Sequence, residues 1–269
     1  MDRIIKYPRT PHLQGSRLQP GDEDSSQVPY GELEGKFIVV EEKLDGANSG
    51  VSFSEQLELR LQSRGHFLTG GGREKHFDLL KAWASAHEDA LFDRLGTRYI
   101  MYGEWMRSKH TVFYDRLAHY FYEFDIYDQQ DSCFLSTAAR RQLLAGAPVV
   151  SVPVLYEGLA PARLETLLAL IQPSRAKGPA WRETLRTLAH QQGLDVPRVM
   201  RETEDSDLAE GLYIKVEEGG RTVARYKWVR SDFTQTILDN DSHWLSRPII
   251  PNQLAPGVGI FASPMEVFS

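Results

Sequence analysis

The chain has 269 residues, enough for one large domain or two small ones with a substantial core. Its net charge of −6 argues against non-specific coating of nucleic acid, while leaving room for a local basic groove. The single cysteine, Cys133, excludes a disulfide framework and a cysteine-based zinc site, and neither a membrane-length apolar stretch nor a signal peptide is present, so a cytoplasmic location is expected.

Residues 1–36 are rich in Pro, Gly and Ser, with an acidic patch at 21–26, and predict an extended leader packed on the domain. An apolar run, Phe37-Ile38-Val39-Val40, then enters Glu41-Glu42-Lys43-Leu44-Asp45-Gly46-Ala47-Asn48, read as a strand end followed by a Gly-Ala-Asn turn. Leu57, Leu59 and Leu61 alternate with Glu58, Arg60 and Gln62, the period of a half-buried strand. Residues 74–91 predict a helix whose apolar stripe is Phe77, Leu80, Trp83, Ala84 and Leu91. Aromatic-rich strands follow at 98–105 and 119–127. Ser136 is suited to N-cap a helix over 137–144. Two further helices, 162–171 and 181–191, flank a Pro/Gly break and form a helical insertion over 160–200. Strands at 212–217 and 222–229 meet at Gly219-Gly220. A three-residue loop over 218–220 would set Lys215 opposite Val223, on the same face as Arg225 and Lys227. The segment 246–269 is proline-punctuated and predicted to be extended. Antiparallel strands with interspersed helices define an α+β domain, not a doubly wound sheet.

Lys43 sits where strand end and turn fix the backbone and leave the amine at the mouth of a pocket, which makes it a candidate nucleophile. A lysine amine has a reference pKa near 10.4, so nucleophilic use calls for cationic neighbours and a metal ion. Both are available downstream. Glu210-Gly211 leads to Lys215, and Arg225-Tyr226-Lys227 lies on the partner strand. A three-cation face suits a triphosphate, although a solvated hairpin has the same pattern. Within Tyr102-Gly103-Glu104-Trp105 an acid leaves a strand and can accept ribose hydroxyls. Phe124, in Phe124-Asp125-Ile126, can stack on a purine, or serve as plain core. Gln62-Ser63-Arg64-Gly65 adds an arginine at a strand end.

In order, these segments resemble the motifs of the covalent nucleotidyltransferase superfamily of polynucleotide ligases and mRNA capping enzymes. Lys43-Leu44-Asp45-Gly46 is similar to the nucleotidyl-lysine motif, Gly103-Glu104 to the third motif and Phe124-Asp125-Ile126 to the aromatic-acid motif after it. Glu210 through Lys215 is similar to the fourth, and Arg225-Tyr226-Lys227 to the fifth, where Arg225 departs from the lysine of many relatives. The resemblance runs from Glu41 to about Arg230, and Asn48 with Phe124-Asp125-Ile126 points to the ATP-dependent RNA ligase branch, in particular type-2-like RNA ligases. It implies a nucleotidyltransferase (ATP-grasp-like ligase catalytic) domain over 37–245, of mixed antiparallel sheets with flanking helices.

The resemblance also implies roles. Lys43 would take AMP from ATP as lysyl-AMP, assisted by Lys215 and Lys227. Glu42, Asn48, Arg64, Glu104, Phe124 and Arg225 would bind the nucleotide, with Glu104 on the ribose and Phe124 on the adenine. Glu210 and Asp45 would hold Mg2+ or Mn2+. AMP would pass to an RNA 5′-phosphate, which a 3′-hydroxyl would then seal, with an end-healing kinase or phosphatase as a possible partner. A DNA ligase catalytic domain and a non-catalytic nucleotide- or RNA-binding module derived from a ligase share the lysine motif. DNA ligases and capping enzymes normally carry an OB-fold, for which the roughly forty residues after Lys227 are too few. Arg94, Arg98, Arg107, Lys109 and Arg116, around the Glu104 motif, are expected to form a local RNA-binding groove.

Overall fold

The computed structural model describes residues 4–18, 27–233 and 249–262. Its ten strands are β1 (Phe37–Glu42), β2 (Ala47–Phe53), β3 (Leu59–Ser63), β4 (Tyr99–Trp105), β5 (Phe121–Asp128), β6 (Cys133–Leu135), β7 (Val150–Ser151), β8 (Val154–Leu159), β9 (Gly211–Glu218) and β10 (Arg221–Val229). The helices are α1 (Asp78–Ala86), α2 (Glu88–Leu95), α3 (Thr137–Leu143), α4 (Leu164–Leu168), α5 (Trp181–Gln191) and α6 (Val196–Arg201). The strands form one sheet in the order β3-β2-β4-β5-β6-β10-β9-β1-β8, antiparallel throughout, with β7 added parallel to β5. No helix among the described residues is long and apolar enough to cross a membrane.

Period-2 alternation separates core from site. Ile38, Val40, Leu212, Ile214 and Val216 turn to one face and pack with Leu13, Leu33 and Leu167. Across the sheet, Val51, Met101, Phe121 and Ile126 pack under Leu80, Trp83, Leu91 and Leu95 of α1 and α2. The alternate residues of β1, β9 and β4, among them Glu41, Tyr213, Lys215 and Glu104, are thereby left to the opposite face, and Phe124 reaches the same cavity as the extra residue of a bulge in β5 opposite Tyr102 and Gly103. β6, only three residues long, ties β5 to β10 and so joins the two halves.

Several sequence expectations shift by local physics. The hairpin β9–β10 closes through the two residues Gly219 and Gly220 (φ 57° and 77°), a both-positive pair suited to the right-handed twist of a hairpin. The expected 218–220 loop is therefore wrong, and Lys215 pairs with Arg225, not Val223. A bulge between Thr222 and Ala224 restores the phase, so Lys215, Arg225 and Lys227 still share a face. Ala47 and Asn48 begin β2 instead of lying in a turn. Leu57 takes φ 65° before β3 and is exposed, so only Leu59 and Leu61 of the leucine alternation are in the strand. The helix expected over 74–91 opens as a 3-10 turn (Gly72–Phe77) and breaks at His87 between α1 and α2, while its stripe is buried as predicted. The helix expected over 162–171 shortens to α4, and 181–191 is reproduced as α5. Ser136 caps α3 through the Ala139 amide at 3.3 Å.

The described parts of the leader carry a 3-10 turn (Tyr30–Leu33) and a buried Leu13. Beyond Lys227, Asn252 is buried and accepts the Tyr114 amide (2.9 Å) while donating to the Met106 carbonyl (2.7 Å). The acidic patch of the leader and residues 234–248 lie outside the described residues.

Candidate active site

A cavity of about 1330 Å³ opens on the polar face of the sheet. That exceeds the roughly 300–1,000 Å³ of a typical small-molecule site and leaves room for a strand end beside a nucleotide. Lys43 leaves β1 one residue after its last paired position, and its amide is held by the Gly211 carbonyl at 3.1 Å. Gly211 is itself pressed against β10, where a Cβ would fall on the Trp228 carbonyl. The Lys43 Nζ sits 2.7 Å from Glu210 Oε1, with the lysine side chain 18% exposed and the carboxylate 1% exposed. Burial opposes the ammonium charge, but Glu210, Asp45 and Glu104 outweigh it and raise the Lys43 pKa. Without a ligand the amine is therefore a protonated, paired cation.

Asp45 fixes the loop after Lys43. Its Oδ2 accepts the amides of Thr111 and Val112, both at 2.7 Å, and its own amide donates to the Tyr114 hydroxyl at 3.0 Å. Glu104, opposite Asn48 in the β2–β4 ladder, accepts the Gly46 amide at 3.0 Å. Burial, opposed by Lys43, pushes the Glu104 carboxyl up to about 7. Asn48 Oδ1 is buried without a hydrogen-bond partner, which is the state of a group waiting for a donor. Arg64 and Lys227 line the rim, and Phe124 presents a partly exposed ring. Glu42 also borders the cavity, with its carboxyl raised by burial against bonds from Ser174 and the Arg175 backbone.

Lys215 and Arg225 lie beneath this surface. Lys215 is fully buried, 3.0 and 2.9 Å from the two Glu41 oxygens and 3.4 Å from Asp125, and it donates to the Phe124 carbonyl. Arg225 bonds Asp125 at 2.7 Å and lies 3.7 Å above the Phe134 ring. Arg140, from α3, completes the layer by bridging Glu41 (2.7 Å) and Glu123 (2.6 Å). Sequence reasoning missed Glu41, Glu123, Asp125 and Arg140 as a unit. The available signal was an unusual density of acids inside apolar strands.

The cavity also contains residues that the motifs did not indicate: Tyr7, Pro8 and Thr10 from the leader, Gly70–Gly72, and Asp195 and Arg198 at the start of α6. The amides of Thr69 and Gly70 bond Glu74, so they are already committed. The expected basic residues mostly lie outside this cavity. Of these five only Lys109 borders the cavity, and its Nζ bonds the carbonyls of His110 and Glu202, while Arg98 pairs with Asp128 at the far end of β4.

Comparison with known proteins gives a family and a fold. The family model described as RNA ligase matches residues 36–229. Among solved structures, a lysine-to-alanine mutant of Naegleria gruberi RNA ligase with ATP and Mn aligns at 19% identity and TM-score 0.50, over 84% of this chain and 56% of that one. A ligand-free mutant of the same enzyme gives 20% and 0.52 over 84% and 56%. A glutamate-to-alanine mutant with ATP and Mn gives 19% and 0.51 over 85% and 56%. This chain thus spans little more than half the length of those proteins, and at such identity the likeness speaks for the fold. No curated protein sequence gives a match. The family match covers β1 through β10, the span that builds the cavity floor and places Lys43, and by that match the chain belongs to the RNA ligase family.

Proposed function

We propose that the chain is an ATP-dependent RNA ligase that works through a lysyl-AMP intermediate. The observation that carries this reading is Lys43: a partly exposed side chain just past a strand end, lining a nucleotide-sized cavity and held by one carboxylate, Glu210. Lys43 Nζ, once its ammonium proton has passed to solvent, would attack the α-phosphorus of ATP, forming the N–P bond and releasing a second proton as the bond to the α,β-bridging oxygen breaks and pyrophosphate leaves. The phosphoramidate would pass AMP to an RNA 5′-phosphate. A 3′-hydroxyl would then displace AMP and seal the strand.

The side chains divide the work. Phe124 would stack on the base, and Glu104 and Asn48 would bind the ribose. Arg64 and Lys227 would meet phosphate oxygens from the rim. Lys215 and Arg225 would act from below, adding positive potential where charge develops in the transition state. Glu42 would border the base. A divalent cation, when bound, supplies positive charge to the phosphates and competes with Lys43 for Glu210. Among the described residues no group of three or more His, Cys, Asp or Glu converges on a metal position, but a Mg2+ or Mn2+ ion held by one carboxylate plus substrate phosphates needs none. Glu210 fits that role better than Asp45, whose Oδ2 already accepts two amides.

The type-2-like assignment rests on Asn48 and Phe124-Asp125-Ile126, and the need for 5′-phosphate and 3′-hydroxyl ends implies a kinase or phosphatase that prepares them. The test is incubation with α-labelled ATP and Mg2+ or Mn2+, followed by denaturing electrophoresis. Label should stay on the protein and disappear in Lys43→Ala; equal labelling of Lys43→Ala would overturn the reading. All-RNA nicks should then be sealed faster than all-DNA nicks.

A further inference from the structure

The leader crosses the site between two anchors. At one end the Ile5 carbonyl accepts the Gln62 side-chain amide (2.9 Å) and the Tyr102 hydroxyl (2.8 Å). At the other, the Leu13 amide donates to the Lys227 carbonyl (2.9 Å) and the Lys227 amide donates to the Pro11 carbonyl (3.0 Å). Residues 5–13 thus strap the half of the sheet containing β3 and β4 to the half containing β10, and Tyr7, in the crossing segment, lies against Phe124. The Tyr7 and Phe124 rings meet edge to face at 5.0 Å.

Three hydroxyls follow from there into the cavity. Tyr7 Oη bonds Asp125 Oδ2, Tyr213 Oη lies 2.6 Å from Tyr7 Oη, and Thr10 Oγ1 lies 2.9 Å from Tyr213 Oη. Tyr7, Tyr213 and Thr10 all line the cavity; Asp125 lies behind them. Burial alone would raise the Asp125 carboxyl, but Lys215 and Arg225 hold it below its usual range, so it is ionised and can only accept. Each hydroxyl has one proton, and this fixes the direction of the whole chain. Tyr7 must spend its proton on Asp125. Tyr213 must then donate to Tyr7, and Thr10 must donate to Tyr213. The last oxygen, Thr10 Oγ1, has no proton left and offers the cavity lone pairs alone.

We infer that this one-way hydroxyl chain makes Thr10 an acceptor-only reader of the nucleobase edge, selecting a base that presents an amino group beside the Phe124 ring and rejecting one that presents a carbonyl. Adenine carries such an amino group at position 6; guanine and hypoxanthine carry a carbonyl there. A lone hydroxyl could rotate to suit either, and it is the anchoring carboxylate that removes this freedom. The inference rests on the ATP-ligase reading for its ligand, but not on the covalent step.

The experiment measures binding and lysine labelling side by side, with ATP, ITP and GTP, for the wild type, Tyr7→Phe, Thr10→Val and Thr10→Ser. Tyr7→Phe cuts the chain from its carboxylate and frees Thr10 to donate, so the ATP-to-ITP preference should fall about tenfold. Thr10→Val should weaken ATP about tenfold and leave ITP nearly unchanged, while Thr10→Ser should keep the wild-type ratio. Thermal unfolding separates these changes from loss of fold, since a folding defect would weaken all three nucleotides together. Unchanged ATP-to-ITP ratios in both Tyr7→Phe and Thr10→Val would overturn the inference. If the wild type binds ATP without being labelled, the covalent reading fails while the binding ratios still decide this one. If it binds no purine nucleotide, both fall.

Discussion

Lys43, just past the end of β1, and Lys215, on the neighbouring β9, both stand beside carboxylates, yet they are held in opposite ways. Lys43 has a single strong partner, Glu210, and keeps 18% of its side chain exposed. Lys215 is fully enclosed, clamped by Glu41, Asp125 and the Phe124 carbonyl. A nucleophile must be able to leave its partner and reach a phosphorus atom, and only Lys43 has that freedom. Lys215 is over-determined: its charge is fixed in place, so it contributes potential and geometry. The difference lies in the packing, because strand alternation places both lysines on the same face.

The sharpest way to break the comparison is to exchange the roles. Lys43→Arg keeps the cation but supplies no group that can be deprotonated, so nucleotidylation should fall by at least about three orders of magnitude. Full retention of labelling would mean that the amine is not the nucleophile. Lys215→Met should act on stability instead. It leaves Glu41 and Asp125 buried with less compensation, at a cost of about 3–5 kcal/mol by analogy with broken buried pairs. Arg140→Met should cost a similar amount by stripping Glu41 and Glu123. Urea unfolding would read both, and a loss under about 1 kcal/mol in each would show that the layer is not held by its charges.

Smaller effects sharpen the pH behaviour. Glu210→Gln removes the first of the charges that raise the Lys43 pKa and leaves burial, which lowers it. In the wild type the ion pair contributes stability that is complete below the ordinary lysine pKa and is lost as pH rises through the higher folded value. In ligand-free protein, acylation of Lys43 should therefore begin at a lower pH in Glu210→Gln than in the wild type; an unshifted profile would remove Glu210 as the group restraining the amine. Glu104 runs in the same direction, in a lower pH window. Its carboxyl is raised to about 7, so the fold retains a proton that the unfolded chain has lost. Stability should decline between the ordinary carboxylate range and about pH 7, by of the order of 1–3 kcal/mol. Glu104→Gln should flatten that slope, and an equally steep decline in the variant would assign it elsewhere.

Much of this arrangement is legible in the sequence, because the motif residues lie on strands whose alternation survives folding. Lys43, Glu104 and Lys227 border one cavity as expected, and Phe124 reaches it through the β5 bulge. Where register matters the sequence is weaker: the bulge at Val223 changes which residue faces Lys215 without changing its face. Ala47–Phe53 hides as a strand because Ser and Gly leave little apolar alternation to read. The buried layer of Glu41, Glu123, Asp125, Arg140, Lys215 and Arg225 is held by bonds such as that between Glu41 and Lys215, 174 positions apart, a separation at which local periodicity carries no information. Tyr7 and Thr10 were missed for a related reason. An irregular leader has no period, and its role arises only from the two anchors at Ile5 and Lys227.

The central claim is that Lys43, and not its enclosed neighbour, carries the nucleotide. Peptide mapping by mass spectrometry after incubation with ATP and Mg2+ tests this directly. The account predicts an acid-labile AMP adduct on the peptide containing Lys43 and none on those containing Lys215 or Lys227. An adduct on either of those lysines, or no adduct on any lysine under conditions where ATP binds, would contradict it.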